Sequence, residues 1–586
     1  MNRPSLLIFI STLFSVVLLN GCASTVNVAP RLSEQSNVNQ QEGILLARVV
    51  NATSYKLPFN QLFIAPKEVN ASKEVKTVLA YAEDRPVGGA SVFAVSLKPG
   101  EYSISSVRSF IFRGEFYFSR GTGSDPEFGT FKVEAGKVTD LGTMVYYPKP
   151  LDDRYTDILV RVPETAQGTI LENYFPNLAE QHQDVLTWDA DERDEQRFLM
   201  YASIAQNPID FTDIIAAPDG SIYMLSKLGV ILRYDTNNGF ETLAVDTDLS
   251  LSSFAQNQSG DRLVGGHEGA LFYQPANGEW HAIQIPAKAS VHHVGFYQEN
   301  QFDVVYSEEE QVVVARFDKQ NLSQPQTINQ YNYVDEWANA EPQEVPKNRA
   351  ASSSKRKPRR IDSVWLSDAG AQKRINVSSY IDGQWSAFES GKIETYSYNP
   401  DTWKMGPADE ETQMDVILDA GAMTLGIEQA GFWSWSGTPT YYVRASDNDQ
   451  WQKLDPRVRY CKDGSEIRGG VQCFEGRKPT KPQSDRFSFL SSPWFWDAQN
   501  GLAIVSFSDY SFWSGQRSTE TKILITDNGG QNWKVSELTL PKEYCTTIIG
   551  QVKSRILLSC DGATTDFYES TDHGQSWQHI RQQQAF

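Results

Sequence analysis

Apolar and polar residues alternate in short runs along most of the chain. The first runs begin at Gly43. GILLARVV, QLFIAP, VFAVSL, YSISSVRSFIF and EFYFSR each read as a strand, and FGTFKVEAGKVTDLGTMVYY gives two more around Ala135-Gly136. Period-two runs bounded by Gly, Pro and Asn predict β-structure. DILVRVPE, Asp157 to Glu164, is a further strand. Leu171 to Leu186 is expected to contain short helices broken at Pro176. The acidic run Asp189 to Glu195 reads as a solvated linker.

After residue 198 the runs repeat. IDFTDIIAAPDGSIYMLSKLGVILRYDTNNGFETL holds four apolar runs separated by turns, and LSSFAQNQSGDRLVGGHEGALFYQPANGEWHAIQI follows the same order. VHHVGFYQENQFDVVYSEEEQVVVARFDKQ is a third unit. The fourth carries Asp382 to Trp385, the fifth Asp447 to Trp451, and two more close the chain. Repeats of roughly 40–50 residues with four strands each predict a radial β-propeller, whose blades bury their faces against neighbours. Seven blades are counted; six is the alternative if the third and fourth are divided differently. FLMYASI, Phe198 to Ile204, is expected to supply the outer strand of the last blade and so close the ring. Insertions interrupt the pattern near 331–360 and 457–485.

The last unit contains STDHGQSW, with Ser570, Asp572, Gly574 and Trp577 in one tight hairpin. Asp572 is placed to accept backbone N–H groups of its turn, Gly574 to take a left-handed backbone, and Trp577 to pack beneath. A looser copy, ITDNGGQNW, is read with Asp527, Gly529 and Trp533, and one extra residue between Asp and Trp. These segments resemble the Asp-box (BNR) repeat of sialidase-like β-propellers, in which the box is structural and lies far from the active site. Pro99-Gly100-Glu101-Tyr102 resembles the corner of small Ig-like or transthyretin-like β-sandwiches. The expected fold is therefore all-β, with a sandwich at 42–150, a linker at 151–197 and the propeller at 198–586.

The N-terminus adds location. Arg3 precedes an apolar run, Leu6 to Leu19, too short for a comfortable membrane span. It ends in Leu19-Asn20-Gly21-Cys22, which resembles the bacterial lipobox. That resemblance implies cleavage after residue 21, lipidation of Cys22, a tether at 22–41 and, with Ala at 23, an outer-membrane address. An ordinary signal peptide is the alternative. Removing residues 1–21 removes Arg3 and takes the net charge from −20 to −21. So acidic a chain is no nucleic-acid binder by default.

Four cysteines remain, and export favours disulfides. Local spacing favours Cys461–Cys473 and Cys545–Cys560 among three possible pairings. CTTIIG and RILLSC are read as a hairpin centred between Val552 and Lys553, which sets Cys545 opposite Cys560. The scattered histidines give no metal site, and no cofactor is expected.

Two function classes follow. The first is a non-catalytic scaffold binding a protein or glycan at a propeller face, with aromatics such as Trp433, Trp435, Trp494, Trp496 and Trp513 as contact candidates. The basic run Lys355, Arg356, Lys357, Arg359 and Arg360 is a possible anion site, set against a plain solvated loop. The second class is sialidase-like glycoside hydrolysis, which the resemblance would build on three arginines and a Tyr nucleophile. The nearest match to its first arginine motif is Val160-Arg161-Val162-Pro163. It lacks the aromatic residue, so Arg161 is read as a surface residue of a strand.

Overall fold

The computed structural model describes residues 27–32, 40–52, 59–67, 77–82, 90–113, 116–123, 129–151, 154–161, 169–180, 185–217, 219–308, 310–332, 359–369, 372–381, 392–407, 416–428, 440–446, 449–455, 457–460, 466–468, 472–475, 478–480, 483–510, 517–542, 545–561 and 565–582.

The N-terminal strands are β1 (Asn27–Val28), β2 (Gly43–Asn51), β3 (Gln61–Pro66), β4 (Val78–Tyr81), β5 (Ala90–Leu97), β6 (Gly100–Arg113), β7 (Phe116–Gly123), β8 (Phe131–Val133), β9 (Val138–Leu151), β10 (Arg154–Arg161) and β11 (Val185–Leu186). They form two sheets, β1-β4-β3-β6-β7 with β8 on β6, and β10-β9-β2-β5 with β11 on β9. Strand β2 runs parallel to β9. All nine residues of β2 are buried because both its faces are covered. Leu45, Ala47 and Val49 join the core shared with the other sheet. Ile44 and Leu46 meet Ile170, Leu171 and Leu178 on the short helices Thr169–Tyr174 and Pro176–Ala179, and Phe175 between them. A strand covered on both sides reads as a continuous apolar run, as GILLARVV does.

The linker differs from the expectation. Asp194–Gln206 is a helix that begins inside the acidic run. Asp194 and Glu195 stand in its first turn, where a carboxylate is favoured by the helix dipole. Arg197 pairs with Asp191 at 3.0 Å and with Asp194 at 2.8 Å. Phe198 to Ile204 lies within this helix and supplies no strand. Arg161 is not on the surface either. It is 1% exposed, 2.5 Å from Asp194, and lies over the Trp188 ring.

Seven four-stranded units follow, one for each predicted blade. Their first strands begin at Phe211, Leu251, Ser290, Arg359, Val416, Ser488 and Cys545, and from the first blade to the fifth each touches the next. In blade 6 the first strand is split into Ser488–Phe489 and Trp494–Phe495. Among the described residues every blade draws its strands from one continuous stretch, and no strand there is exchanged to close the ring. Blades 1 and 7 meet through packing instead. Ile222, Met224 and Tyr234 share a core with Val552, Leu557 and Phe567. The Tyr234 hydroxyl donates to Glu569 at 2.5 Å, and Thr565 donates to the Ile209 carbonyl at 2.6 Å.

Part of the second insertion is ordered as small sheets, Arg457–Tyr460 with Gln483–Arg486, and Glu466–Arg468, Gln472–Glu475 and Lys478–Thr480 together. Cys545 and Cys560 are disulfide-bonded and directly paired in blade 7. The turn sits one residue later than expected, with Val552 opposite Arg555. Two bulges, after Cys545 and after Ile548, restore the opposition of the cysteines.

Candidate functional site

Antiparallel succession places the connections alternately at the two ends of the blades. First-to-second and third-to-fourth turns share one end, the turn face. Second-to-third connections and the links between blades share the other, the loop face. Among the described residues the connections on the turn face are 217 with 219–221, 236–238, 257–261, 275–280, 299–300, 319–320, 399–404, 420–423, 445–446 with 449–451, 496–500, 527–533, 553–554 and 571–577. Among the described residues the loop face receives 227–229, 245–250, 267–270, 283–289 and 536–542.

The N-terminal domain docks on this loop face, over blades 1 and 2. Arg48 is the one charged residue of β2, and it is 3% exposed. Its Nε donates to Glu268 Oε1 at 3.0 Å, and its Nη2 lies 2.9 Å from the same oxygen. Nη1 donates to Thr143 Oγ1 at 3.2 Å, and Thr143 donates to Asp248 Oδ2 at 2.6 Å. Tyr174 donates to Glu268 Oε2 at 2.7 Å. Burial pushes the guanidinium down, but Glu268 and Asp248 outweigh it and hold it above its ordinary value. Beside this network Val50, Val145 and Tyr147 pack on Ile209 and Leu228 of the propeller. Glu268 has φ 57° in a turn where Gly269 has φ 79°. A non-glycine residue held there costs on the order of 1 kcal/mol and marks an imposed position. The signal for Arg48 was its solitary charge in an apolar run; nothing in the sequence named Glu268.

The first strands have a second regularity near their loop-face ends. In five blades the first strand slips by one residue at the same point, leaving Thr212, Ser252, His292, Asp362 and Thr546 unpaired across the ladder. Three of these reach the next blade. Thr212 donates to the Leu251 carbonyl, Ser252 donates to Val291 at 2.5 Å, and His292 Nδ1 accepts from Val364 N–H at 3.3 Å. Between blades 6 and 7, Ser491 Oγ accepts from Ile548 N–H at 3.2 Å. The sequence shows the bulges as apolar-polar-polar-apolar tetrads such as FTDI, LSSF and VHHV, which break alternation and which the strand reading passed over.

His292 Nε2 lies 2.6 Å from Ser307 Oγ. Because Nδ1 accepts from Val364, the ring proton sits on Nε2 and points at the serine, so this pair is no base-activated hydroxyl. Burial pushes His267 down to about 4; burial and then His267 push His292 down to about 3. Asp213, beside the first bulge, goes the other way, and burial pushes it up to about 6. Solvent reaches its side chain although protein surrounds it.

The two Trp-closed hairpins lie on the turn face. Asp572 accepts from Ser576 N–H at 2.9 Å, Ser576 Oγ at 2.6 Å and Ser570 Oγ at 2.8 Å. These bonds, that from the Ser576 hydroxyl first, hold its carboxyl down at about 2. Gly574 N–H donates to Ser570 Oγ at 2.7 Å, and Trp577 packs below. The upstream hairpin has a different register from the one expected. Gly530 N–H donates to Thr526 Oγ1 at 2.9 Å, and Asn532 N–H donates to Asn528 Oδ1 at 2.9 Å. Thr526, Asn528, Gly530 and Trp533 therefore stand where Ser570, Asp572, Gly574 and Trp577 stand, and no residue is extra. Asp527 is 62% exposed and pairs with Lys534 at 2.7 Å, while Gly529 takes the place of His573.

Trp494 and Phe495 belong to the cores between blades, and Trp496 stacks on His573 at 4.4 Å. Cys22, Lys355, Arg356, Lys357, Cys461, Trp433, Trp435 and Trp513 lie outside the described residues, as do the side chains of Arg359, Arg360 and Cys473. Asp382 to Trp385 and Asp447 also fall outside them.

The sequence matches no protein-family model and no curated protein. Solved structures similar to this chain include the GH74 xyloglucanase from Xanthomonas campestris, at 11% identity and TM-score 0.28, covering 63% of this chain and 66% of that one. YCF48 from Cyanidioschyzon merolae gives 12% identity and TM-score 0.29 over 62% and 92%. The β-propeller domain of the Trilobed protease from Pyrococcus furiosus gives 9% and 0.33 over 64% and 96%. The chain thus spans just under two thirds of the xyloglucanase. These likenesses concern the β-propeller class alone, which the seven blade sheets of this chain display.

Proposed function

We propose that this chain is an outer-membrane lipoprotein whose Asp-box propeller is a non-catalytic scaffold that holds a protein or glycan on its loop face. The observation that carries this reading is the asymmetry of the ring. Among the described residues the N-terminal domain covers one end, against the connections at 227–229 and 267–270, while the other end is closed by short turns. Loops on a rigid frame are where recognition concentrates. The Arg48–Glu268 contact makes the N-terminal domain part of that end, and not a loose spacer. The anchor rests on Leu19-Asn20-Gly21-Cys22. The hydrolase alternative has no comparable support, because Arg161 serves Asp194 and Trp188 away from the blades.

Cys22→Ser tests the anchor: the wild type partitions with outer membrane and the variant becomes soluble. Identical fractionation of both would remove the lipoprotein claim. Purified full-length protein is expected to release no fluorophore from a methylumbelliferyl sialoside. Steady release would favour the hydrolase.

A further inference from the structure

The N-terminal domain meets the propeller through one of its two sheets. In β10-β9-β2-β5, Leu45, Ala47 and Val49 face the sandwich core, while Arg48 and Val50 face the propeller. The other sheet, β1-β4-β3-β6-β7, therefore lies on the side remote from the ring. Its core side is marked by Leu62, Ile64 and Ala80, all fully buried. Alternation sends Phe63, Leu79 and Tyr81 to the opposite side. Phe63 pairs with Leu79, and Leu79 pairs with Val28 of β1, so these three form one row across the strands. Val28 is 59% exposed and Tyr81 36%. Arg108 on β6 stands in the row of Tyr81, through Gln61, and lies over the Phe63 ring at 4.8 Å.

Charge and chain length indicate what this side meets. In a chain of net charge −20, the strands of this sheet carry Arg108, Arg113, Arg120 and Lys132 against one carboxylate, Glu101. Glu101 is itself paired with Lys67 at 2.6 Å. Strand β1 also begins close to the lipobox cysteine, since only residues 23–26 separate Cys22 from Asn27. Asn27 N–H donates to the Thr77 carbonyl at 3.2 Å, Ala29 N–H to that of Leu79 at 2.9 Å, and Leu32 N–H to that of Ala94 at 3.0 Å. Part of the tether expected at 22–41 is thus fastened into the sandwich from Asn27 to Leu32. The five steps from Cys22 to Asn27 span at most about 18 Å.

We propose that the outer side of this sheet rests on the phospholipid surface that holds the Cys22 lipid. The inference deepens the lipoprotein reading and rests on it. The lipid on Cys22 fixes the distance, and Val28 is drawn to the interface with it. Val28 and the rings of Phe63 and Tyr81 leave water there, a tyrosine being suited to the headgroup level, and Arg108 keeps its charge among the phosphates. The anchor already confines the domain, so a contact too weak to bind free protein is enough to orient it. Bilayer, outer sheet, inner sheet and ring then stack in that order, and the turn face of the propeller points away from the membrane.

Lipidated full-length protein on vesicles of phosphatidylethanolamine and phosphatidylglycerol is compared with the soluble Cys22→Ser chain by hydroxyl-radical oxidation and mass spectrometry. Tyr81 is expected to oxidise about tenfold more slowly on vesicles, the size of one apolar side chain withdrawn from water. Phe198, 42% exposed on the helix Asp194–Gln206 beyond the inner sheet, is expected to oxidise equally in both. Val28→Glu is expected to return Tyr81 to the soluble rate while the protein still floats with the vesicles. The same substitution in the Cys22→Ser chain is expected to leave the soluble oxidation pattern unchanged, which guards against a misfolded variant. If the wild type floats but Tyr81 oxidises as fast as in solution, the orientation is overturned and the anchor stands. Equal protection of Phe198, or protection of Tyr81 indifferent to Val28→Glu, overturns the orientation as well. If the wild type does not float, the anchor falls and this contact with it.

Discussion

On the turn face, the hairpins at 527–533 and 571–577 satisfy their own backbone groups within a few residues of sequence. On the loop face, Arg48 is satisfied by Glu268, 220 positions away, and the bulged side chains of one blade bond the next. The turn face is thus a set of independent local solutions, whereas the loop face is a set of long-range agreements. Damage should stay local on the first and spread on the second.

The strongest test of that contrast is Glu268→Ala. It leaves a buried guanidinium without its main partner and should cost about 3–5 kcal/mol in denaturant unfolding of the full chain. A cost below about 1 kcal/mol would erase the difference between the faces.

Acid should also act on the loop face first. Folded His267 and His292 take up a proton only near pH 4 and pH 3, against about 6.5 when unfolded. Below about 6.5 the unfolded state therefore binds protons that the fold refuses. Stability falls as pH drops, by about 1.4 kcal/mol per pH unit for each imidazole. Asp213 opposes this, because its folded value is raised to about 6 from 3.8. Its contribution is fully present below about 3.8 and is lost as pH rises through 6. Melting temperatures between pH 7 and pH 4 should fall less steeply in His292→Asn and more steeply in Asp213→Asn. Parallel profiles for all three proteins would contradict these assignments.

The smallest effects belong to the turn face. Asp572→Ala should cost about 1–2 kcal/mol and Asn528→Ala about 1, each through lost N–H acceptors. Asp527→Ala should stay within about 0.5 kcal/mol, as exposed pairs do. An Asp527→Ala cost equal to that of Asn528→Ala would restore the register first expected for blade 6.

The blades were legible because their signals are local. Four apolar runs and a turn fit inside one repeat, and the Cys545–Cys560 pairing needed only two neighbouring strands. What escaped the sequence had a distant or ambiguous partner. Thr526-Asp527-Asn528 offers two candidate acceptors in a row, and only the ladder between the third and fourth strands decides between them. FLMYASI was read as a strand because its apolar content was weighed above the acidic residues that start a helix at Asp194. Glu268 carries no mark at all, since its role exists only once β2 lies across blade 2.

Closure of the ring by packing and two side-chain hydrogen bonds, with each blade drawn from one continuous stretch of the described residues, has an evolutionary consequence. A duplication or deletion of one repeat would add or remove a whole blade without orphaning a strand in any other. The diameter of the ring could thus change in single steps, provided that the new first and last units keep matching apolar surfaces and partners for Tyr234 and Thr565.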